Sequence, residues 1–181
     1  MKRKLLIGVV ILTGIICGFL QEYVKVNINY TLEAGDKIRG FYEQTVETKK
    51  EWLAQVAIDA PFDYYHNHKR IDSLLSLSKS QLSLLKWVVT FIAIMIFLII
   101  NVSLIKLITD DRKLIIWFIK LYGVFCLISV AIYIFGKFTN TLAQSYAVSR
   151  EIAGGLQSMV PTMLAIPAWW LWKITHNQKA K

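Results

Sequence analysis

Apolar residues gather along this chain into four blocks: Leu5–Leu20, Trp87–Ile105, Leu114–Phe135 and Ala153–Trp172, of 16, 19, 22 and 20 residues. A helix needs about 20 apolar residues to cross a hydrocarbon layer roughly 30 Å thick. The pattern predicts an all-α, polytopic membrane protein with four transmembrane helices. The stretch 21–86 reads differently. Ile38, Phe41, Tyr42, Val46, Leu53 and Val56 recur there at roughly helical spacing among Lys, Glu and Thr. Beyond Pro61, a second stripe of Ile71, Leu74, Leu75, Leu82 and Leu85 runs without Gly or Pro into the second block. Two amphipathic helices joined by a turn near Pro61 are expected, the second continuous with the second span. Only Val24–Tyr30 alternates apolar with polar residues as a strand would. Both stripes are thin for a large independent core, so the hairpin is expected to lean on the bundle or on a partner. The division predicted is 1–20, a cytoplasmic tip with the first span; 21–86, an extracytoplasmic helical hairpin; and 87–181, three further spans with a basic tail.

Composition agrees. Apolar residues make up 55% of the 181 residues and charged ones only 18%, against about 25% charged in soluble domains. The four blocks cover 77 residues yet contain one charge, Lys120, where even scattering of the 33 charges would place about 14. The first block follows Lys2-Arg3-Lys4 and could be taken for a signal peptide. Its exit, Gly18-Phe19-Leu20-Gln21-Glu22-Tyr23, offers no small-x-small cleavage site, so it reads as a retained span. Charge placement then orients the chain. With both termini cytoplasmic, the inner side collects nine basic residues against Asp110 and Asp111. The segment 136–152, carrying Lys137, Arg150 and Glu151, and the charge-balanced 21–86 fall outside, as the positive-inside rule favours. A plasma or inner membrane is the expected location. The net charge of +9 reflects this basic rim facing anionic lipid, and nucleic acid is not an expected partner. Trp87, Trp117, Trp169, Trp170 and Trp172 lie near block ends, where indole rings anchor helices at the interface.

Candidate chemistry is sparse. His66 and His68, two residues apart and close to Asp63, could hold a metal only in a loop, because positions i and i+2 do not share a helix face. A polar turn is the plainer reading, and neither a metal nor a cofactor is predicted. Lys120 lies six residues into the third span, where it either contacts a substrate or head group or snorkels to the interface. Gly14 and Gly18 form a GxxxG around Cys17, and Gly123 and Cys126 match them in depth, so the first and third spans are expected to touch there with free thiols. Pro161 and Pro167 are expected to kink the fourth span. Asn101 and Ser103 read as interhelical hydrogen bonders. No carboxylate lies in any block, and no nucleotide, zinc or nucleophile motif occurs.

The function expected from these residues is non-enzymatic: a membrane accessory or scaffold protein presenting its hairpin to a membrane or extracytoplasmic protein, with a homo-oligomer left open. The first alternative is a component of a transport, channel or lipid-handling system using Lys120 and the Pro-kinked fourth helix. The second is a membrane enzyme subunit using His66 and His68. No catalytic residue is assigned.

Overall fold

The computed structural model describes residues 2–59 and 71–178. Among them are six α-helices and no strand: α1 (Lys2–Lys37), α2 (Val46–Asp59), α3 (Lys79–Thr109), α4 (Arg112–Phe138), α5 (Leu142–Leu156) and α6 (Val160–Gln178). Three of them, α1, α3 and α4, are long and apolar enough to cross a membrane. The chain divides into two compact units, Phe19–Phe91 and Met1–Gly18 with Ile92–Lys181, so α1 and α3 each give one half to each unit.

The boundary between lipid and water is written in the exposed residues. Large exposed apolar side chains occupy Leu5–Leu20 of α1, Leu84–Ile108 of α3 and Ile116–Phe138 of α4. Among the described residues none falls between Gln21 and Ser83. Soluble surfaces scatter such residues singly, and continuous bands of them mark a surface that lipid covers.

The unit Phe19–Phe91 has its own core. Tyr30, Ala34, Phe41, Leu53 and Leu75 form one buried cluster, with Ile38, Val46 and Trp52 packed on it. Ile28, Leu74 and Leu82 form another, with Val24, Leu32 and Leu85 around it. The expectation of stripes too thin for a core is corrected: the outer half of α1 supplies Ile28, Tyr30 and Ala34 as a third wall. The strand signal at Val24–Tyr30 fails for the same reason, since Val26, Ile28 and Tyr30 are buried while the backbone continues helical to Lys37. Gly40, at φ 75°, then turns the chain into a 3-10 turn at Phe41–Glu43. That left-handed conformation costs glycine little. The second amphipathic stripe is split: Leu74 and Leu75 lie in a 3-10 segment, Asp72–Ser76, and α3 starts afresh at Lys79. Pro61 lies outside the described residues.

In the other unit, α3 and α4 make an antiparallel hairpin around Asp110-Asp111. Asp110 takes φ 52°, and the Asp111 carboxylate caps α4 by accepting from the Lys113 and Leu114 amides at 2.9 and 3.3 Å. Ile105, Leu114, Phe118, Tyr122 and Leu156 form its core. The expected fourth span, Ala153–Trp172, is not one helix. The chain breaks at Gln157-Ser158-Met159, between α5 and α6. Pro161 is not a kink but lies in the first turn of α6, where a missing amide hydrogen costs nothing; Pro167 lies inside α6. The segment 136–152 is likewise not a simple loop. Most of it is α5, which folds back along α4: Ser149 meets Ser129, and Gly136 faces Ser145 so closely that an added Cβ would stand 2.2 Å from the Ser145 Cβ.

Candidate functional site

Three places in the fold concentrate polar groups or open space. The first is the break between α5 and α6. Here the last helical carbonyls of α5 would be left without partners in an apolar bundle, at several kcal/mol each. Buried side chains from α3 and α4 meet them. The Tyr122 hydroxyl donates to Leu156 O at 2.5 Å, and the Asn101 amide donates to Ser158 O at 2.9 Å and Phe97 O at 2.8 Å. Asn101 Oδ1 accepts from the Thr162 hydroxyl at 2.5 Å, and the Ser158 hydroxyl donates to Gly155 O at 2.6 Å. Asn101 is wholly buried, and both amide hydrogens and its carbonyl are used. The arrangement seals the break and leaves those carbonyls committed.

The second is an open apolar groove of about 440 Å³ between the start of α4 and the end of α6, walled by Trp117, Phe118, Trp169 and Trp172 with Lys113 at its rim. Trp169 and Trp172 stack at 4.8 Å between ring centroids. This volume is in the range of small-ligand clefts.

The third is the unit Phe19–Phe91. Its interior is tied by polar bonds between segments far apart in sequence. Asn27 Oδ1 accepts from the Ile71 amide at 3.0 Å, and the buried Lys49 ammonium donates to Leu75 O at 2.8 Å while lying 5.6 Å from the Phe41 ring centroid. Among the described residues these are the contacts of its side-chain nitrogen, a carbonyl and a ring face. Lys50 pairs with Asp72 at 2.8 Å, which holds its ammonium above the ordinary lysine range. Lys79 pairs with Asp36. Tyr42 packs its ring against Gly35, where an added Cβ would stand 2.2 Å from it. The Tyr42 hydroxyl is buried without a hydrogen-bond partner among the described residues, and burial, helped by the Asp36 charge, raises its pKa. On the outer surface Glu43, Glu47 and Glu51 recur at four-residue spacing, all exposed.

The residues singled out by sequence fall as follows. Lys120 is exposed on α4, its ammonium 5.9 Å from the Trp117 ring centroid, and points away from the α3–α4–α6 core. Gly14 faces Ile100 and Met159, and Gly18 faces Phe97. Gly123 has nothing within 4 Å of an added Cβ, so the expected contact between the first and third spans at Gly14 and Gly123 is not formed. The room at Gly14 is used by α3 and by Met159 of the break instead. Cys17 and Cys126 are free thiols, partly buried. Trp87, Trp117, Trp170 and Trp172 are exposed, while Trp169 packs on the core. His66 and His68 lie outside the described residues. Among the described residues no group of three His, Cys, Asp or Glu side chains could hold a metal. The sequence reading missed Tyr122, Thr162 and the Ser129–Ser149 pair; it named Asn101 as an interhelical hydrogen bonder, and its bonds to Ser158 and Thr162 are of that kind. A tyrosine and a threonine flanking an asparagine across three blocks were the available signal.

These features define a protein that is all-helical among the described residues, with three helices long and apolar enough to cross a membrane and a unit, Phe19–Phe91, that has buried cores of its own. The chain matches no known protein family, no curated protein and no solved structure.

Proposed function

We propose that this protein is an integral membrane accessory or scaffold protein whose unit Phe19–Phe91 is the part that meets a partner. The observation that carries the reading is that unit's self-contained core beneath a surface free of exposed large apolar residues, among those described, from Gln21 to Ser83. A body of this kind holds its shape in water and offers fixed charges to a partner. The helices favour it too. The 36 residues of α1 extend about 54 Å, well beyond the roughly 30 Å that hydrocarbon requires.

In this reading α5 and α6 together make the return passage beside α4, so the chain crosses four times. Both termini are cytoplasmic and the unit is extracytoplasmic. Arg3, whose guanidinium donates to Leu107 O near the α3–α4 turn, and Trp172, which shares a groove with Lys113, support this reading. The partner is a protein with a basic surface, facing Glu43, Glu47 and Glu51.

A photocrosslinking side chain placed at Ala54, on the exposed face of α2, tests this in native membranes. One adduct of defined mass is expected, lost when Glu43, Glu47 and Glu51 are all changed to Lys and retained in Lys120→Leu. An adduct that survives the triple change, or none at all, contradicts the proposal. Loss in Lys120→Leu would favour the transport reading.

A further inference from the structure

The pairing of α5 with α4 puts two charges where none was expected. Ser149 Oγ and Ser129 Oγ are 2.9 Å apart, and Tyr122 reaches Leu156 O, so α5 runs antiparallel to α4 from Gly136 to Tyr122. At this level the outward face of α4 is Val124, Leu127, Ile128 and Val130, all exposed. Arg150 and Glu151 directly follow Ser149. Ser129 lies six residues, about 9 Å, inside the lipid-exposed Phe135. With α4 crossing the bilayer as proposed above, on which this inference rests, the two charges sit at hydrocarbon depth, and their side chains are 68% and 80% exposed.

Among the described residues each has only the other as an ionic partner, at long range. Their nitrogen and oxygen are 3.8 Å apart, because adjacent helix residues diverge around the axis. A charge facing acyl chains costs several kcal/mol, so ionisable residues at this depth face protein or a water-filled cavity. An Arg stem can carry its guanidinium toward the interface, but the short Glu side chain has no such reach. The surrounding face suits close approach of another helix. Ala147, Gly154 and Gly155 are exposed, and nothing lies within 4 Å of a Cβ added at either glycine.

We propose that the outer face of α5 is a homodimer interface within the membrane, in which Arg150 of each chain pairs with Glu151 of a second copy. The face carries one charge of each sign side by side. It is complementary to itself across a two-fold axis, which forms both pairs at once and leaves no net charge in the lipid. The glycines let the two α5 backbones approach closely enough for these side chains to meet.

The test uses the full chain in phosphatidylcholine bilayers, with Cys17→Ser and Cys126→Ser and a single Ala147→Cys. A short bifunctional thiol reagent is expected to give a crosslinked dimer. Arg150→Glu and Glu151→Arg, each alone, should lower the dimer yield by about tenfold or more, since like charges then face each other. Mixing the two reversed chains should restore it, because one chain then carries two acids and the other two bases. Both residues are exposed, so reversal leaves the α4–α5 contact in place, and an unchanged helical circular dichroism spectrum verifies this. No dimer from the unreversed chain, a dimer indifferent to reversal, or no recovery on mixing would each overturn the proposal. So would capture of Ala147→Cys by a different membrane protein while the purified chain remains monomeric.

Discussion

Asn101 is the residue that closes the break between α5 and α6. Its side chain bonds Phe97, Ser158 and Thr162 at once. Asn101→Leu keeps the volume roughly constant and orphans the Ser158 carbonyl. Hydrogen bonds between membrane helices are worth about 0.6–2 kcal/mol, so unfolding in mixed micelles should show a loss of about 1–2 kcal/mol. An unchanged midpoint would mean that the break is sealed otherwise. Tyr42 gives the opposite case, a buried hydroxyl without a partner among the described residues. Tyr42→Phe is expected to be neutral or stabilising near pH 7. Its pH dependence has a fixed sign. A pKa raised in the folded state keeps its stabilisation below the ordinary tyrosine value near 10 and loses it as pH climbs through the folded value. Lys50, raised by Asp72, loses its contribution in the same direction. Thermal unfolding of the full chain in detergent should therefore fall off above about pH 10, and less steeply in Tyr42→Phe. Asn101 was visible in the sequence as a polar residue in an apolar block. Its partners beyond α3 were not, because they come from the α5–α6 break and from α6, and register between helices leaves no mark in a single sequence.

At the scale of elements, helix existence was easier to read than helix ends. Hydrocarbon length marked Leu5–Leu20 on α1, and the exposed apolar band has the same limits. The helix itself runs on to Lys37, because amphipathic packing replaces lipid as the reason for order and Gly40 is the first residue that stops it. The fourth block misled for a physical reason: its apolar content does not reveal that Gly154-Gly155 and Gln157-Ser158 weaken the helix where Tyr122 and Asn101 can cap the loose ends. Prolines drew attention to Pro161, yet the break lies before it. The α4–α5 hairpin makes its own prediction. In Gly136→Ala the new Cβ meets the Ser145 side chain, so the helices must part, at about 1–3 kcal/mol. Spin labels placed at Tyr133 and Tyr146, now 6.4 Å apart between ring centroids, should show a longer and broader distance distribution in that variant. An unaltered distribution would mean that the glycine is not needed for close approach.

At the scale of the whole molecule, one boundary organises the account. Bands of exposed apolar residues end at Leu20 on α1 and begin at Leu84 on α3, and the residues between them build a core of their own. Function was less legible than architecture. The charges on which the two proposals rest, Glu43, Glu47 and Glu51 on one unit and Arg150 and Glu151 on the other, look like ordinary surface residues in the sequence. The boundary can be measured directly. Single cysteines at Leu6, Leu12, Phe19, Glu22, Glu33 and Lys37, all exposed on α1, are introduced into the Cys17→Ser/Cys126→Ser chain in lipid bilayers open to reagent on both sides. A water-soluble maleimide should label Glu22, Glu33 and Lys37 readily and leave Leu12 and Phe19 unlabelled until detergent is added, with Leu6 intermediate near the interface. Uniform labelling along α1, or protection extending to Lys37, would contradict a helix that leaves the lipid at Leu20 to build a folded unit in water.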